Sequence, residues 1–200
     1  MRALQTLLKL LLYILALPAV LVIRMIRPIL LVRWGGLVST RIGHFAANTE
    51  LYLCERDAGI NVPKQCYVDL SYMGGPICNQ QLAMMWKRVL RIWPGWILAR
   101  ISRVSRLIPG GAAHEIGNNT QQDRDVHNLL DRFPPHLRFT PEEERRGREE
   151  LNKLGIPNNA RYICFHARNP YYLKTVSPGA DFSYHDYLDT DIKNFIPAVE

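Results

Sequence analysis

The sequence predicts an α/β fold, and three segments with the character of buried strands support this prediction. They are residues 28–33, 65–70 and 161–168, which are rich in leucine, β-branched and aromatic residues. Apolar runs of this length are typical of parallel strands whose two faces are both covered by helices. Glycine turns and helical periodicity alternate with these runs, as in successive βα units. We therefore expect a doubly wound domain over 28–140 and the opening βα unit of a second domain over 161–200.

The amino-terminal segment is almost wholly apolar. Residues 7–23 contain Lys9 as their only charge, but the uncharged stretch is shorter than the roughly 20 residues of a membrane-spanning helix. A helix lying on the membrane surface, with Arg24 and Arg27 at the lipid phosphates, fits this length best. A spanning helix and a helix buried against the following domain are the alternatives, whereas a signal peptide lacks a suitable cleavage site. We expect residues 1–27 to form a membrane-associated apolar helix.

The first βα unit follows directly. The strand over 28–33 ends at Gly35 and Gly36, which supply a turn, and helical periodicity then runs from Ile42 to Glu55. The turn does not carry a Gly-x-Gly-x-x-Gly fingerprint. The sequence therefore does not predict dinucleotide binding.

The second unit repeats this order. A strand over 65–70 is followed by a helix over 79–92, whose apolar residues recur at helical spacing. A Trp-Pro-Gly-Trp break at 93–96 precedes a short helix over 97–105. The stretch 110–135 is rich in Asn, Gln, Asp and Gly, which predicts an exposed connection.

The net charge and the cysteine spacing limit the classes of partner and ligand that we expect. The net charge of +7 favours anionic partners, but no basic run with interleaved aromatic residues is present, so we do not expect nucleic acid. The cysteines form no Cys-x-x-Cys pair and no histidine cluster stands at ligand spacing, so we expect no metal site. We interpret them as reduced thiols, with the last one inside an apolar strand: Cys54, Cys66, Cys78 and Cys164.

A polar helix separates the two α/β patterns. Thr140 is well placed as its N-cap, Pro141 occupies its first position and Gly155 ends it. Charged pairs four residues apart indicate a solvated helix. We interpret residues 141–160 as a linker helix and turn between domains.

The strand predicted over 161–168 would present His166 and Arg168 at its carboxyl end. Ligands bind at this edge in open α/β sheets, and the planar guanidinium fork suits phosphate. The alternatives are a core histidine and a surface arginine that pairs with Asp181 or Asp191. Both interpretations of each residue stay open at this point.

From Phe139 onward the chain resembles a bacterial family of glycosyltransferases. The opening strand and turn, from Leu31 to His44, are also similar to that family, so the resemblance covers residues 28–200. Its His-x-Arg element resembles the one that fucosyltransferase-like enzymes place near the donor pyrophosphate. The matching segments are Phe139-Thr140-Pro141-Glu142-Glu143-Glu144, Leu154-Gly155-Ile156-Pro157, Cys164-Phe165-His166-Ala167-Arg168 and Tyr184-His185-Asp186-Tyr187.

The resemblance implies two Rossmann-like domains that face each other across a cleft, the GT-B arrangement. It implies a nucleotide-sugar donor bound by the carboxyl-terminal domain, a glycan or lipid-linked acceptor, and no metal or other cofactor. His166 and Arg168 would lie at the donor phosphates, while Gly43 and His44 would line the cleft. The implied location is the cytoplasmic face of a bacterial inner membrane.

Glycosyl transfer also assigns catalytic and binding roles to other side chains. His44 is the candidate general base, because an imidazole titrates near working pH. Arg33 and Arg41 would add to the phosphate field. Tyr171 would stack on a base or sugar ring, and Asp191 would either touch the sugar or cap the final helix.

Two hypotheses about function follow. The first is a glycosyltransferase that builds cell-surface polysaccharide or glycolipid. The second is a non-catalytic, membrane-associated remnant of such an enzyme. It is suggested by Asn169 and Leu188, where the family pattern has an aspartate and an arginine, and by the end of the chain at Glu200 early in the second domain.

Overall fold

The computed structural model describes residues 2–117, 124–176 and 178–198. The chain divides into two compact units, Met1–Thr140 and Pro141–Glu200. The first unit contains the sheet, whereas the described residues of the second contain helices and irregular chain but no strand.

A parallel sheet forms the centre of the first unit. Strand β1 (Leu31–Leu37) pairs with β2 (Tyr67–Met73) in a register that aligns the first residue of one with the first residue of the other. One isolated parallel bridge adds to each edge of this two-stranded sheet. Glu115 pairs with Trp34 of β1, and Ile92 pairs with Ser71 of β2. The spatial order is therefore residue 115, β1, β2, residue 92. The chain moves outward from β1 in one direction and then returns to its other side.

Helices cover both faces of this sheet. One face carries α1 (Arg2–Ile26) and α4 (Gly95–Arg106), and the other carries α2 (Thr49–Asp57) and α3 (Gln80–Val89). Because side chains alternate along a strand, each face contributes to a separate core. The buried residues on the first face are Ala16, Val20, Val32, Trp34, Leu98, Ile101 and Val104; on the second they are Phe45, Leu53, Ala83, Trp86 and Leu90. The fold is mixed α/β, as the sequence predicted.

The glycines after the first apolar run do not end the strand. Gly35 and Gly36 lie inside β1, which continues to Leu37. A Cβ at Gly35 would lie 3.2 Å from the Ile116 side chain, and one at Gly36 would lie 3.1 Å from the Tyr72 ring. The glycines therefore let neighbouring side chains approach the sheet closely. The predicted turn was wrong because this tertiary contact is invisible in the local sequence.

The prediction of an exposed connection over 110–135 was wrong in part, because three of the residues described there are buried: Gly111, His114 and Leu129. A 3₁₀ turn (Gly111–His114) and a short helix α5 (Leu129–Arg132) lie within it. His114 is fully buried and Leu129 is 1% exposed. The His114 ring stacks on Trp34 with centroids 5.2 Å apart, and its Nδ1 lies 2.6 Å from the Val32 carbonyl oxygen. These buried residues belong to the packed interior, while most of the other described residues of the segment are exposed.

Helix α1 packs on the domain through one face only. Arg24 does not point to solvent: it donates to the carbonyl oxygens of Pro109 at 2.7 Å and Ile108 at 3.0 Å, just beyond the end of α4. A cation at this end of a helix satisfies otherwise unpaired carbonyl groups. Within the described part of the chain, no helix combines the length and the hydrophobicity needed to cross a membrane.

The second unit begins with the polar helix α6 (Pro141–Lys153), none of whose residues is buried. The predicted strand over 161–168 is absent: these residues are irregular, and Ile163 is 79% exposed. Cys164 is exposed rather than buried in a strand. Phe165 packs on Phe195 with ring centroids 5.2 Å apart. Helix α7 (Tyr171–Val176) and two 3₁₀ segments, Ser183–Leu188 and Ile192–Ala198, complete the described chain.

Candidate functional site

A cleft of about 220 Å³ opens at the carboxyl ends of β1 and β2. It lies where the strand order reverses, because Glu115 returns to one side of β1 while β2 lies on the other. Open α/β sheets bind ligands at such a switch point. The cleft is lined by Gly35, Gly36, Leu37, Val38, His44, Asn48, Thr49, Tyr52, Ser71, Tyr72, Arg106, Glu115 and Ile116.

His44 enters the wall of the cleft from an irregular helical turn. The residues His44–Asn48 form a single π-helical turn immediately before α2. Such turns are rare and occur frequently at functional sites. The side chain of His44 is half-buried, while Phe45 beside it is fully buried and fixes the turn. Trp86 Nε1 donates to the carbonyl oxygen of Phe45 at 2.9 Å, which holds this turn to α3.

Gly43, which was predicted to line the cleft, and Arg41, which was predicted to add to the phosphate field, do not line this cleft. Gly43 is exposed, and a Cβ added there would meet nothing within 4 Å. Its φ of −62° is open to any residue, so the backbone does not require glycine. Arg41 is half-buried. Of the residues predicted at this turn, the structure places only His44 in the cleft wall.

Glu115 supplies a fixed negative charge at the opposite wall. Its carboxylate accepts hydrogen bonds from Trp34 Nε1 at 2.9 Å, Ser102 Oγ at 2.8 Å and Arg106 Nη2 at 3.0 Å. Burial alone would raise the pKa of Glu115, but the bond from Arg106, with the others, outweighs it, and the pKa lies below its usual range. Sequence reasoning missed this residue, although a buried tryptophan N–H needs a partner.

The second polar network of the first unit contains Arg33, which was predicted to face phosphates. Its guanidinium forms a bidentate pair with Asp69, with both distances 2.7 Å, and it lies over the Tyr67 ring at 4.8 Å. The Tyr52 hydroxyl donates to Asp69 at 2.5 Å, and burial raises the pKa of Tyr52 well above its ordinary value. Arg33 therefore joins β1 to β2 and is not available to an anion, while the Tyr52–Asp69 hydrogen bond holds α2 to the sheet.

The predicted donor-side residues lie in the second unit and make local contacts. Arg168 Nε lies 3.6 Å from Asp189 Oδ1, and the backbone oxygen of Arg168 accepts from Thr190 N at 3.0 Å. Arg168 thus pairs with an acid that neither sequence alternative named. His166 is exposed.

Two further predicted residues stand at the starts of helical segments. The backbone N–H of Tyr171 donates to Asn169 Oδ1 at 3.1 Å, and the Tyr171 ring is 75% exposed. Asp191 Oδ1 accepts from the backbone N–H of Lys193 at 3.0 Å. This is the capping geometry that the sequence allowed for Asp191 as an alternative to sugar contact.

The fold and the cleft define a class of protein: an α/β protein with helices on both faces of a parallel sheet and a polar cleft at the carboxyl ends of its strands. No protein-family model, no curated protein and no solved structure matches this chain.

Proposed function

We propose that the chain forms the acceptor-side domain and carries donor-binding residues of a nucleotide-sugar-dependent glycosyltransferase. The first unit would be the Rossmann-like acceptor domain of a GT-B enzyme. The observation that carries the proposal is the position of His44 in the wall of a cleft at the carboxyl ends of the parallel strands. The family resemblance of residues 28–200 supplies the reaction class.

The size of the cleft supports the acceptor role. Pockets for drug-sized ligands typically measure roughly 300–1,000 Å³, whereas this cleft measures about 220 Å³. It therefore suits one sugar ring or one end of a lipid-linked acceptor, rather than a whole nucleotide sugar. The donor would bind to the second unit.

The chemistry assigns one task to each unit. In the first, the His44 imidazole accepts the proton of the acceptor hydroxyl while its oxygen forms the new bond to the anomeric carbon. The bond between that carbon and the donor phosphate breaks, and the nucleoside diphosphate leaves with the electron pair. In the second, Arg168 stabilises the charge that builds on this leaving group. No step needs a metal or a redox cofactor.

Donor binding is tested by calorimetry with UDP and GDP as probes on the full chain. We expect Arg168→Ala to weaken nucleotide binding at least tenfold, while Arg161→Ala, an exposed arginine of the same segment, leaves it unchanged. Equal affinities of the wild type and Arg168→Ala would sink the assignment of Arg168.

Acceptor chemistry is tested by the transfer of labelled sugar from nucleotide-sugar donors to bacterial membrane fractions. We expect His44→Gln to lower the rate by about 10²–10⁴-fold, the usual contribution of a general base, without changing nucleotide affinity. His127→Gln replaces an exposed histidine of the same unit and serves as the control. If both variants transfer at the wild-type rate, His44 is not the base.

We further propose that the outer face of α1 lies on the cytoplasmic face of a bacterial inner membrane. The inner face of α1 packs on α4 through Ala16 and Val20, while the outer face is also apolar. When a helix is apolar on all sides, contact with one protein surface leaves its opposite apolar face exposed, and such exposed apolar patches mark interaction sites. The exposed apolar residues of this face are Ile14, Leu15, Leu17, Leu21, Val22, Met25 and Ile26.

Membrane binding is tested by co-sedimentation with vesicles that contain acidic phospholipid. Burial of one leucine or valine contributes about 1.5–3 kcal/mol. We therefore expect Leu21→Glu with Val22→Glu to lower vesicle binding by about 100-fold or more. Leu154→Glu changes an exposed leucine of the second unit, 76% accessible, and serves as the control. Unchanged binding of the double variant would refute the orientation.

A specific observation favours a second candidate, a non-catalytic remnant. The predicted donor strand is irregular and exposed, and Arg168 lies beside Asp189. Under this alternative, the wild-type chain binds vesicles but neither UDP nor GDP, and it transfers no sugar. The calorimetry described above separates the two candidates.

A further inference from the structure

Three side chains with metal-ligating atoms meet between α2 and the segment after α5. Glu50 and Cys54 are four residues apart on α2, so they lie on one face of the helix. His136 approaches them from the chain between α5 and α6. One ligand atom from each of these residues lies within 4.8 Å of the other two.

We propose that Glu50, Cys54 and His136 bind one divalent cation of the zinc class, with water as the fourth ligand. Carboxylate, thiolate and imidazole are the three side-chain ligands that zinc uses in proteins. Zinc–ligand bonds of about 2.0–2.3 Å place tetrahedral ligand atoms roughly 3.5 Å apart. A cation would therefore have to draw the ligand atoms, which lie within 4.8 Å of one another, closer together.

The surroundings of His136 orient its ring for this role. Its Nε2 lies 3.0 Å from Asp57 Oδ2, and its Nδ1 lies 2.9 Å from Glu50 Oε1. An acid that accepts the N–H of one ring nitrogen directs the other nitrogen to the cation, which is the usual outer contact of a metal-bound histidine. The backbone N–H of His136 also donates to Glu50 Oε1 at 2.9 Å, which fixes the chain at this point.

Cys54 distinguishes a metal site from a simple ion pair. The carboxylates of Glu50 and Asp57 would hold a protonated His136 without any thiol nearby. Cys54 is 1% exposed and packs with Leu51 and Leu129. The side chains of His136 and Glu50 are 14% and 18% exposed. The cluster is therefore closed on the thiol side and open to solvent on the other, which gives a cation an entry path.

A bound cation would join two parts of the first unit. Helix α2 carries Tyr52, which lines the cleft. The chain around His136 packs on the first unit through Phe133 and Leu137. Because the ligands come from both parts, the cation stabilises the folded state in proportion to its occupancy. The proposal does not depend on the reaction performed in the cleft.

The test uses the full chain, stripped of metal with a chelator and titrated with Co²⁺. We expect one equivalent to bind and to produce a thiolate-to-cobalt charge-transfer band in the near ultraviolet. Cys54→Ser should abolish this band, while Cys78→Ser, which changes a half-buried thiol of the same unit, should leave it intact. No band in the wild type, or a band that persists in Cys54→Ser, would overturn the proposal.

Two further variants distinguish the loss of a metal ligand from the loss of the folded structure. Asp57→Asn should keep the charge-transfer band and weaken cobalt binding by about 10–100-fold, as expected for an outer contact. Zn²⁺ should raise the melting temperature of the wild type but not that of His136→Gln, and the chelator should reverse the shift. An equal zinc-induced shift in both proteins would contradict the site.

Discussion

Removal of the Asp69 carboxylate tests the central packing of the first unit. Asp69 forms a bidentate pair with Arg33, and both side chains are nearly buried, at 10% and 9% exposure. It also accepts the hydrogen bond of Tyr52, whose side chain lines the cleft. The variant Asp69→Ala therefore leaves a buried guanidinium without its counter-charge.

The magnitude follows from the contacts that remain. After the change, Arg33 keeps the carbonyl oxygen of Asn61 at 3.2 Å and the Tyr67 ring, neither of which carries a negative charge. Removing one partner of a buried pair costs about 3–5 kcal/mol. Since a domain is stable by only about 5–15 kcal/mol, we expect Asp69→Ala to lower the free energy of unfolding by roughly a fifth or more.

Urea denaturation followed by tryptophan fluorescence measures this loss selectively. All four tryptophans lie in the first unit, so the signal reports its unfolding alone: Trp34, Trp86, Trp93 and Trp96. The control replaces both partners, Arg33→Met with Asp69→Leu. Apolar replacement of a whole buried pair is often neutral or stabilising, so this variant should recover most of the loss. A cost below about 1 kcal/mol for Asp69→Ala, or a double variant no more stable than the single one, would refute the reasoning.

Three further predictions concern a strand glycine, a helix glycine and the cleft acid. Gly36→Val should destabilise the first unit by about 1–3 kcal/mol in urea titrations, because its Cβ would lie 3.1 Å from the Tyr72 ring; no loss would refute this contact. Gly147→Ala in α6 meets nothing within 4 Å and should instead raise helix stability by roughly 0.5–1 kcal/mol, measured by circular dichroism. The lowered pKa of Glu115 stabilises the fold above the unfolded-state value of about 4.3, and this contribution is lost as pH falls through the folded-state pKa. Glu115→Gln should therefore flatten the acid dependence of stability, and an unchanged profile would contradict the network.

The local sequence pattern was sufficient to predict features that depend on residues within a single element. Asn79 Oδ1 accepts a hydrogen bond from the backbone N–H of Leu82 at 2.9 Å and caps α3. The helix itself begins at Gln80, one residue after the predicted start. A break separates α3 from α4 as predicted, but it spans residues 90–94, because α3 ends at Val89 and α4 already begins at Gly95. The sequence also pointed to His44 as a candidate at the start of the helix that follows β1, and this histidine lines the cleft.

The opposite wall of the cleft could not be predicted in this way. Glu115 and Arg106 lie far along the chain from β1, and Glu115 reaches the sheet through a single bridge to Trp34. No periodicity marks a residue that joins a sheet by one bridge. Likewise, nothing local shows that Arg33 pairs with Asp69 across the strands rather than facing a ligand.

The sequence by itself determined the alternation of apolar runs and amphipathic helices, and hence the mixed α/β character of the first unit. It also determined the polar, solvated helix α6, because charge spacing and caps act within a few residues. Tertiary structure alone decided that Gly35 and Gly36 continue a strand while residues 161–168 do not form one. A strand needs a hydrogen-bonding neighbour and a packed face. Glu115 and β2 give β1 its neighbours, whereas the described residues of the second unit contain no strand to pair with 161–168.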